Sequence, residues 1–330
     1  MIRKFIPILP LFAVSLLFAC GATEQVEEQA VPVVDEAGAF DAPVTDEHPK
    51  PKIGSVFRPV GAVDVSAMST PESAPGDWRQ VPADQLIVLK TSHGATLIEM
   101  APDFAPGHTA RFGALAHEGY FKGLPFHRVI QGFMAQAGQT ALVGRPEPTT
   151  ENLKAEFIYR RPPSLGMTVV GERRTAQAGF IKGFKFASQN PTLAMFPPGT
   201  FDGNVAAWQL HCSGAVAAAR LGNDINSANA QFYITTSYPD SLDKLYTVWG
   251  RVRAGLSNVS QIKKGEPPMP PDLIEQFSLV TDLAANERPQ VWVMNTDGTA
   301  FSSYLDGMKT DTGSLPDICK IEVPVIVRWP

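Results

Sequence analysis

The run Tyr120-Phe-Lys-Gly-Leu-Pro-Phe-His-Arg-Val-Ile-Gln-Gly-Phe-Met-Ala-Gln-Ala-Gly138 constrains this chain more than any other stretch. Phe126, Val129 and Phe133 are strand formers interrupted by Gly132, a pattern that predicts a strand, a bend and a second strand. Arg128 falls inside that apolar pattern, and a cation is not enclosed by apolar side chains unless something pairs with it. Gln136 lies at an even offset from Arg128, so on a continuous strand the two side chains share a face, although the bend at Gly132 leaves the register open. Phe133 and Met134 then form an apolar cup beside a cation and an amide. Alone, Arg128 reads as a surface arginine in a salt bridge; within this run it is a candidate for function. His127 is of the residue type that most often acts as a general base. No Ser, Cys or Asp partner is signalled around it, so it reads as a core or strand-packing histidine.

A second region narrows the reading. His211-Cys-Ser-Gly-Ala-Val-Ala-Ala-Ala-Arg220 is followed by Asn226-Ser-Ala-Asn-Ala-Gln-Phe-Tyr-Ile-Thr235 and by the stretch from Leu242 to Val252. Together with Tyr120 to Gly138, these segments resemble the two halves of the active site of cyclophilins, the prolyl cis/trans isomerases. The resemblance runs from about Leu86 to Lys264 with a large interruption. It implies a mainly β fold, an eight-stranded antiparallel barrel with two flanking helices. It also implies Arg128 and Gln136 as the catalytic pair, and a substrate site made by Phe133, Met134, Gln231, Tyr233, Leu242 and Tyr246. The backbone at Ala219 and Arg220 is expected to pair with the extended substrate. The implied partners are proline-containing polypeptides, and the chemistry needs no cofactor.

Four departures from the family pattern bear on that reading. Tyr233 stands where Phe is usual, which keeps the ring and adds a hydroxyl. Tyr246 replaces a frequent His and still offers a ring wall. Ser241 replaces a frequent Trp or Phe, an aromatic wall whose burial is worth about 1.5 to 3 kcal/mol. The loop from Leu221 to Asp224 is also one residue longer than usual. These changes keep a second function in view, a non-catalytic module that holds proline peptides or another partner on the same scaffold.

The N-terminus bears on location. Arg3 and Lys4 precede an apolar run from Phe5 to Ala19, too short for a comfortable membrane span and flanked like a signal peptide. Leu17-Phe-Ala-Cys20-Gly21 is similar to a bacterial lipoprotein cleavage and acylation site, with residues 1–19 as the signal and Cys20 as the lipidated residue. Gly21 favours outer-membrane sorting by analogy, so the expected protein faces the periplasm from a lipid anchor in the cell envelope. Residues 20–82 read as an acidic, proline-rich tether, since Gly21 to Lys50 holds eight acidic residues and one lysine. The whole chain is formally at −5; subtracting −7 for that segment and +2 for the signal leaves the remainder near zero. A neutral globular part carries no electrostatic footprint for nucleic acid.

Cys212 and Cys319 are left for the folded part, either as a disulfide in an oxidising compartment or as two small buried thiols. No Cys-x-x-Cys, His-x-x-x-His or clustered-carboxylate pattern suggests a metal site, and no Gly-rich loop follows a strand to hold a nucleotide. Leu86 to Thr91 and Thr96 to Met100 alternate apolar and polar side chains around His93-Gly94, which predicts a hairpin. Ala105 to Glu118 has helical spacing with Pro106 near its first turn. Strand signals recur at Phe126, Val216, Phe232, Val248, Val291 and Ile321 to Val327. The cyclophilin-like part is expected at 83–265, with an insertion at about 159–209 and a packed extension at 266–330. The insertion is either a covering for the barrel surface or a substrate-selecting lid.

Overall fold

The computed structural model describes residues 73–146, 148, 151–190 and 202–330. The expected signal segment, Cys20 and the tether as far as residue 72 lie outside the described residues. The fold begins with strands β1 (Trp78–Gln80), β2 (Leu86–Thr91) and β3 (Gly94–Met100), helix α1 (Pro106–His117), then β4 (Phe126–Ile130) and β5 (Met134–Ala137). The insertion supplies β6 (Tyr159–Arg161), β7 (Thr168–Arg173), β8 (Ala176–Ile181), β9 (Phe184–Ser188) and β10 (Val205–Gln209). Next come β11 (Ala215–Ala218), β12 (Phe232–Thr235), β13 (Val248–Ala254), α2 (Leu256–Gln261) and β14 (Gln276–Leu279). The chain closes with β15 (Gln290–Met294), α3 (Thr299–Asp306) and β16 (Val325–Arg328). No helix among the described residues is long and apolar enough to cross a membrane.

Eight strands form one antiparallel sheet in the order β14-β2-β3-β13-β11-β12-β5-β4. The sheet curls, and the segments that lead into its two edge strands are hydrogen-bonded to each other. Gly123 N–H donates to Ile274 O, Ile274 N–H to Leu124 O, and Phe126 N–H to Asp272 O. Backbone groups that an open edge leaves unpaired are satisfied in this way. The β2–β3 hairpin turns through Ser92 and His93, with Thr91 paired to Gly94, and Gly94 supplies a φ of +120°.

Helix α1 starts on Pro106, whose missing N–H is no loss at that position, and its N-cap residue Ala105 offers no side-chain acceptor. A distant residue takes over: the Glu156 carboxylate accepts from Gly107 N–H at 2.9 Å and His108 N–H at 3.0 Å. His108, Phe112, Leu115 and Ala116 turn one helical face into the barrel. Phe112 stacks on Trp249 at 4.3 Å between ring centroids, among Ile87, Leu89, Ile98, Phe126, Val129 and Phe232.

The expected apolar/polar alternation of β2 does not describe its environment. Ile87 and Leu89 face the barrel interior, yet Leu86 and Val88 are equally buried on the opposite face. A second core covers that face, built from Val81, Leu97, Phe180, Trp208, Val291, Val293, Phe301 and Ile321. Insertion and extension both contribute to it, so the barrel wall is dressed on two sides, and a strand buried on both faces carries apolar residues on both.

Two expected boundaries move. Trp78–Gln80, read as tether, is a strand of a small sheet ordered β1-β15-β16, and Val81 N–H donates to Val291 O. Gln276–Leu279, read as extension, is the edge strand of the eight-stranded sheet, pairing residue for residue with Ile87–Lys90. The insertion folds as a five-stranded antiparallel sheet, β6-β10-β9-β8-β7. Its Phe184 and Phe186 pack with Phe104, in the turn between β3 and α1. Of the two readings of the cysteines, the disulfide is the one found: Cys212 and Cys319 are bonded, tying the segment before β11 to the C-terminal extension.

Candidate active site

The β4–β5 hairpin falls within the run from Tyr120 to Gly138. Phe126 pairs with Ala137 and Arg128 pairs with Gln136, so β4 has one residue more than β5 at His127, a β-bulge. The bulge decides which way Arg128 points. Strict alternation puts residue 128 on the same face as Phe126, inside the barrel. With His127 as the extra residue, Phe126 and Val129 both face the interior core, and Arg128 stands across from Gln136 on the outer face. The two side chains share a face as expected, by cross-strand pairing rather than by an even offset along one strand. Gly132 makes the bend at a φ of +65°.

His127 is half-buried, and its Nδ1 is enclosed without a hydrogen-bond partner. Burial first, and the adjacent Arg128 charge second, lower its pKa below the usual imidazole value. It packs as a strand residue, in keeping with its sequence reading.

Beside Arg128 and Gln136 a small apolar cluster is built on Met134, Tyr233 and Val248, with Ala215 and Ala217 beneath. Ile130, Phe133, Ala219, Leu242 and Tyr246 are partly buried against it. The expected ring-binding residues Phe133, Met134, Tyr233, Leu242 and Tyr246 are therefore brought together. Tyr233 and Tyr246 meet edge to face with centroids 5.9 Å apart. Gln136 Nε2 donates to Gln231 Oε1 at 3.1 Å, which joins Gln231 to the same surface. Ala219 N–H is engaged by Gln231 O. The Arg220 side chain belongs to the loop: its guanidinium lies over the Tyr246 ring at 4.6 Å and donates to Leu245 O, Leu221 O and Gly222 O. Its donors thus stabilise the longer loop. Ser241 is exposed, with no aromatic wall in its place.

Sequence reasoning missed two features. Arg128 Nε donates to Glu266 Oε2 at 2.7 Å, and both side chains are about half exposed, at 40% and 52%. The Tyr233 hydroxyl meets His211 Nε2 at 3.1 Å, His211 Nδ1 meets Asp243 Oδ1 at 3.0 Å, and Asp243 also accepts from His211 N–H and the Tyr238 hydroxyl. The acceptor-only carboxylate calls for a ring proton on Nδ1, and the Tyr233 hydroxyl is the partner of Nε2. Burial, then the neighbouring Tyr246 and Asp243, hold the Tyr233 pKa well above the ordinary phenol value, so its hydroxyl stays a donor. The clue to this relay was the Tyr in a Phe position, since a buried hydroxyl demands a partner.

Chemically, the surface offers a permanently charged fork, an amide beside it and a ring-sized apolar recess. Neither His127 nor His211 is disposed as a general base toward it. The sequence model of the family described as cyclophilin type peptidyl-prolyl cis-trans isomerase/CLD matches residues 86–279. A probable peptidyl-prolyl cis-trans isomerase of Brucella suis is 31% identical over 206 residues, 62% of this chain and 79% of that protein. Peptidyl-prolyl cis-trans isomerase B of Bacillus subtilis is 27% identical over 168 residues, 51% of this chain and 82% of that protein. The crystal structure of cyclophilin AquaCyp293 from Hirschia baltica superposes with a TM-score of 0.69 at 38% identity, over 77% of this chain and 94% of that one. The share of this chain that superposes is larger than the span of the family match. The matched residues contain both halves of the surface described above, and the chain belongs to the cyclophilin-type peptidyl-prolyl cis/trans isomerases.

Proposed function

We propose that this isomerase acts on Xaa-Pro bonds of polypeptides at the cell envelope, with Arg128 as its principal catalytic group and Gln136 beside it. Rotation about a peptide bond costs about 18 to 20 kcal/mol because the planar form is resonance-stabilised. At the twisted midpoint that conjugation is lost and the prolyl nitrogen regains a lone pair. Arg128 is always protonated, so it donates to that nitrogen only in the twisted state. An interaction made only there lowers the barrier instead of merely tightening binding. Fixed donors and a clamped ring together need supply about 7 kcal/mol for a rate gain near a hundred thousand-fold.

The observation that carries this reading is the direct cross-strand pairing of Arg128 with Gln136 next to the Phe133, Met134, Tyr233, Leu242 and Tyr246 recess. Gln136, held by Gln231, receives the substrate carbonyl, and the recess grips the proline ring. The backbone at Ala219 and Arg220 lies along the chain preceding the proline. The envelope location rests on the short apolar run ending at Cys20 and the acidic stretch after it. A protease-coupled isomerisation assay on the purified full chain is expected to give turnover of a Xaa-Pro tetrapeptide. Mass spectrometry of the same chain from a bacterial host is expected to find an acylated Cys20 at the mature N-terminus.

A further inference from the structure

The cation at the centre of the site is not free in its own plane. Among the described residues the only side-chain hydrogen bond of Arg128 is the one from Nε to Glu266 Oε2, at 2.7 Å. Arginine pairs with carboxylates most specifically through two parallel N–H groups. Here a single contact at the inner nitrogen orients the guanidinium and leaves both terminal NH2 groups without a protein partner.

Glu266 is itself delivered by backbone. Val129 N–H donates to Gly265 O at 2.8 Å and Gly265 N–H to Val129 O at 2.9 Å, a bridge that fixes the residue following Gly265 beside the residue preceding Val129. Gly265 has a φ of +154°, and a Cβ there meets Pro268 Cα at 2.6 Å and Pro267 O at 2.8 Å, so only glycine fits the turn. Farther along, Asp272 accepts from Lys263 N–H and from Ser92, and pairs with His93, which ties down the other end of the loop. A half-exposed ion pair contributes little to stability, because each partner gives up hydration and side-chain freedom for a screened attraction. The loop is anchored by backbone and glycine, not by this pair. The pair thus has a consequence for the guanidinium rather than for the fold.

We propose that Glu266 is the positioning residue of Arg128: it holds the guanidinium through Nε so that the terminal nitrogens are presented to the twisted prolyl nitrogen, while Gln136 takes the substrate carbonyl. The inference rests on the catalytic reading of Arg128. A long side chain ordered before substrate arrives loses less freedom when it engages the transition state, which is worth rate rather than affinity.

The test is a double-mutant cycle on the full chain with a Xaa-Pro peptide, using Glu266→Ala, Glu266→Gln, Arg128→Ala and the Arg128→Ala/Glu266→Ala pair, with folding checked by circular dichroism. Glu266→Ala is expected to lower kcat about tenfold with KM nearly unchanged, and Glu266→Gln, which keeps an acceptor oxygen, to recover part of that loss. In the Arg128→Ala background, removal of Glu266 is expected to have no further effect. A wild-type or raised kcat in Glu266→Ala overturns the proposal, as does a loss of equal size in the Arg128→Ala background. If Arg128→Ala itself turns over like wild type, it is the catalytic reading of Arg128 that fails, a result distinct from the other two.

Discussion

The hydroxyl of Tyr233, one of the residues that form the recess, lies 3.1 Å from Nε2 of the fully buried His211. The hydroxyl is therefore engaged by a buried partner. Tyr233→Phe keeps the ring but leaves Nε2 enclosed and unpaired, at a cost of about 1 to 3 kcal/mol. The expected outcome is a thermal midpoint lower by several degrees with kcat/KM kept within about tenfold. Differential scanning calorimetry alongside the peptide assay checks both halves; an unchanged midpoint speaks against the relay.

Acid should act on the cap of α1. Burial works to raise the Glu156 pKa, but the His108 side chain and the backbone N–H groups of Gly107 and His108 outweigh it and hold the carboxyl below its ordinary 4.5. A carboxyl with a lowered folded pKa contributes stability above its unfolded value and loses it as pH falls through the folded one. Urea unfolding of wild type and Glu156→Gln is expected to show wild type the more stable at neutral pH. The gap should narrow as pH drops below 4.5, and a gap independent of pH contradicts the assignment.

The bond between Cys212 and Cys319 closes a loop over a sequence separation of 107. Cross-links of native domains stabilise by about 2 to 5 kcal/mol. Replacing both cysteines with serine is expected to lower stability by that order while changing kcat/KM by less than about threefold, since Arg128 and Gln136 lie on other strands. Chemical denaturation and the peptide assay on the same variant check it. A large loss of rate in a variant that stays folded points instead to a role for the extension in catalysis.

Much of the fold could be read from local chemistry. Gly132 announced the bend, His93-Gly94 the hairpin and Pro106 the start of α1, because each reflects a backbone constraint that one residue type satisfies. The residues of the site were legible for a related reason: Arg128, Phe133, Met134 and Gln136 are packed into one hairpin. Contacts between distant segments were not. The bulge at His127 is a property of pairing between two strands, invisible along either one. Leu86 and Val88 gave no sign of which surface covers them, since the cover comes from residues such as Val291 and Phe301, some two hundred positions away. Glu266 looked like the first residue of an appendage, yet the Gly265–Val129 bridge sets it beside Arg128. For the same reason the barrel's edge strand at Gln276–Leu279 was assigned to the extension.

Donation from the Arg128 cation to the prolyl nitrogen in the twisted state is read out by kcat/KM of Arg128→Ala on a Xaa-Pro peptide. The expected result is a fall of at least about a hundredfold, or about 2.7 kcal/mol, with the circular dichroism and thermal midpoint of wild type retained. Fully retained turnover in that folded variant contradicts it.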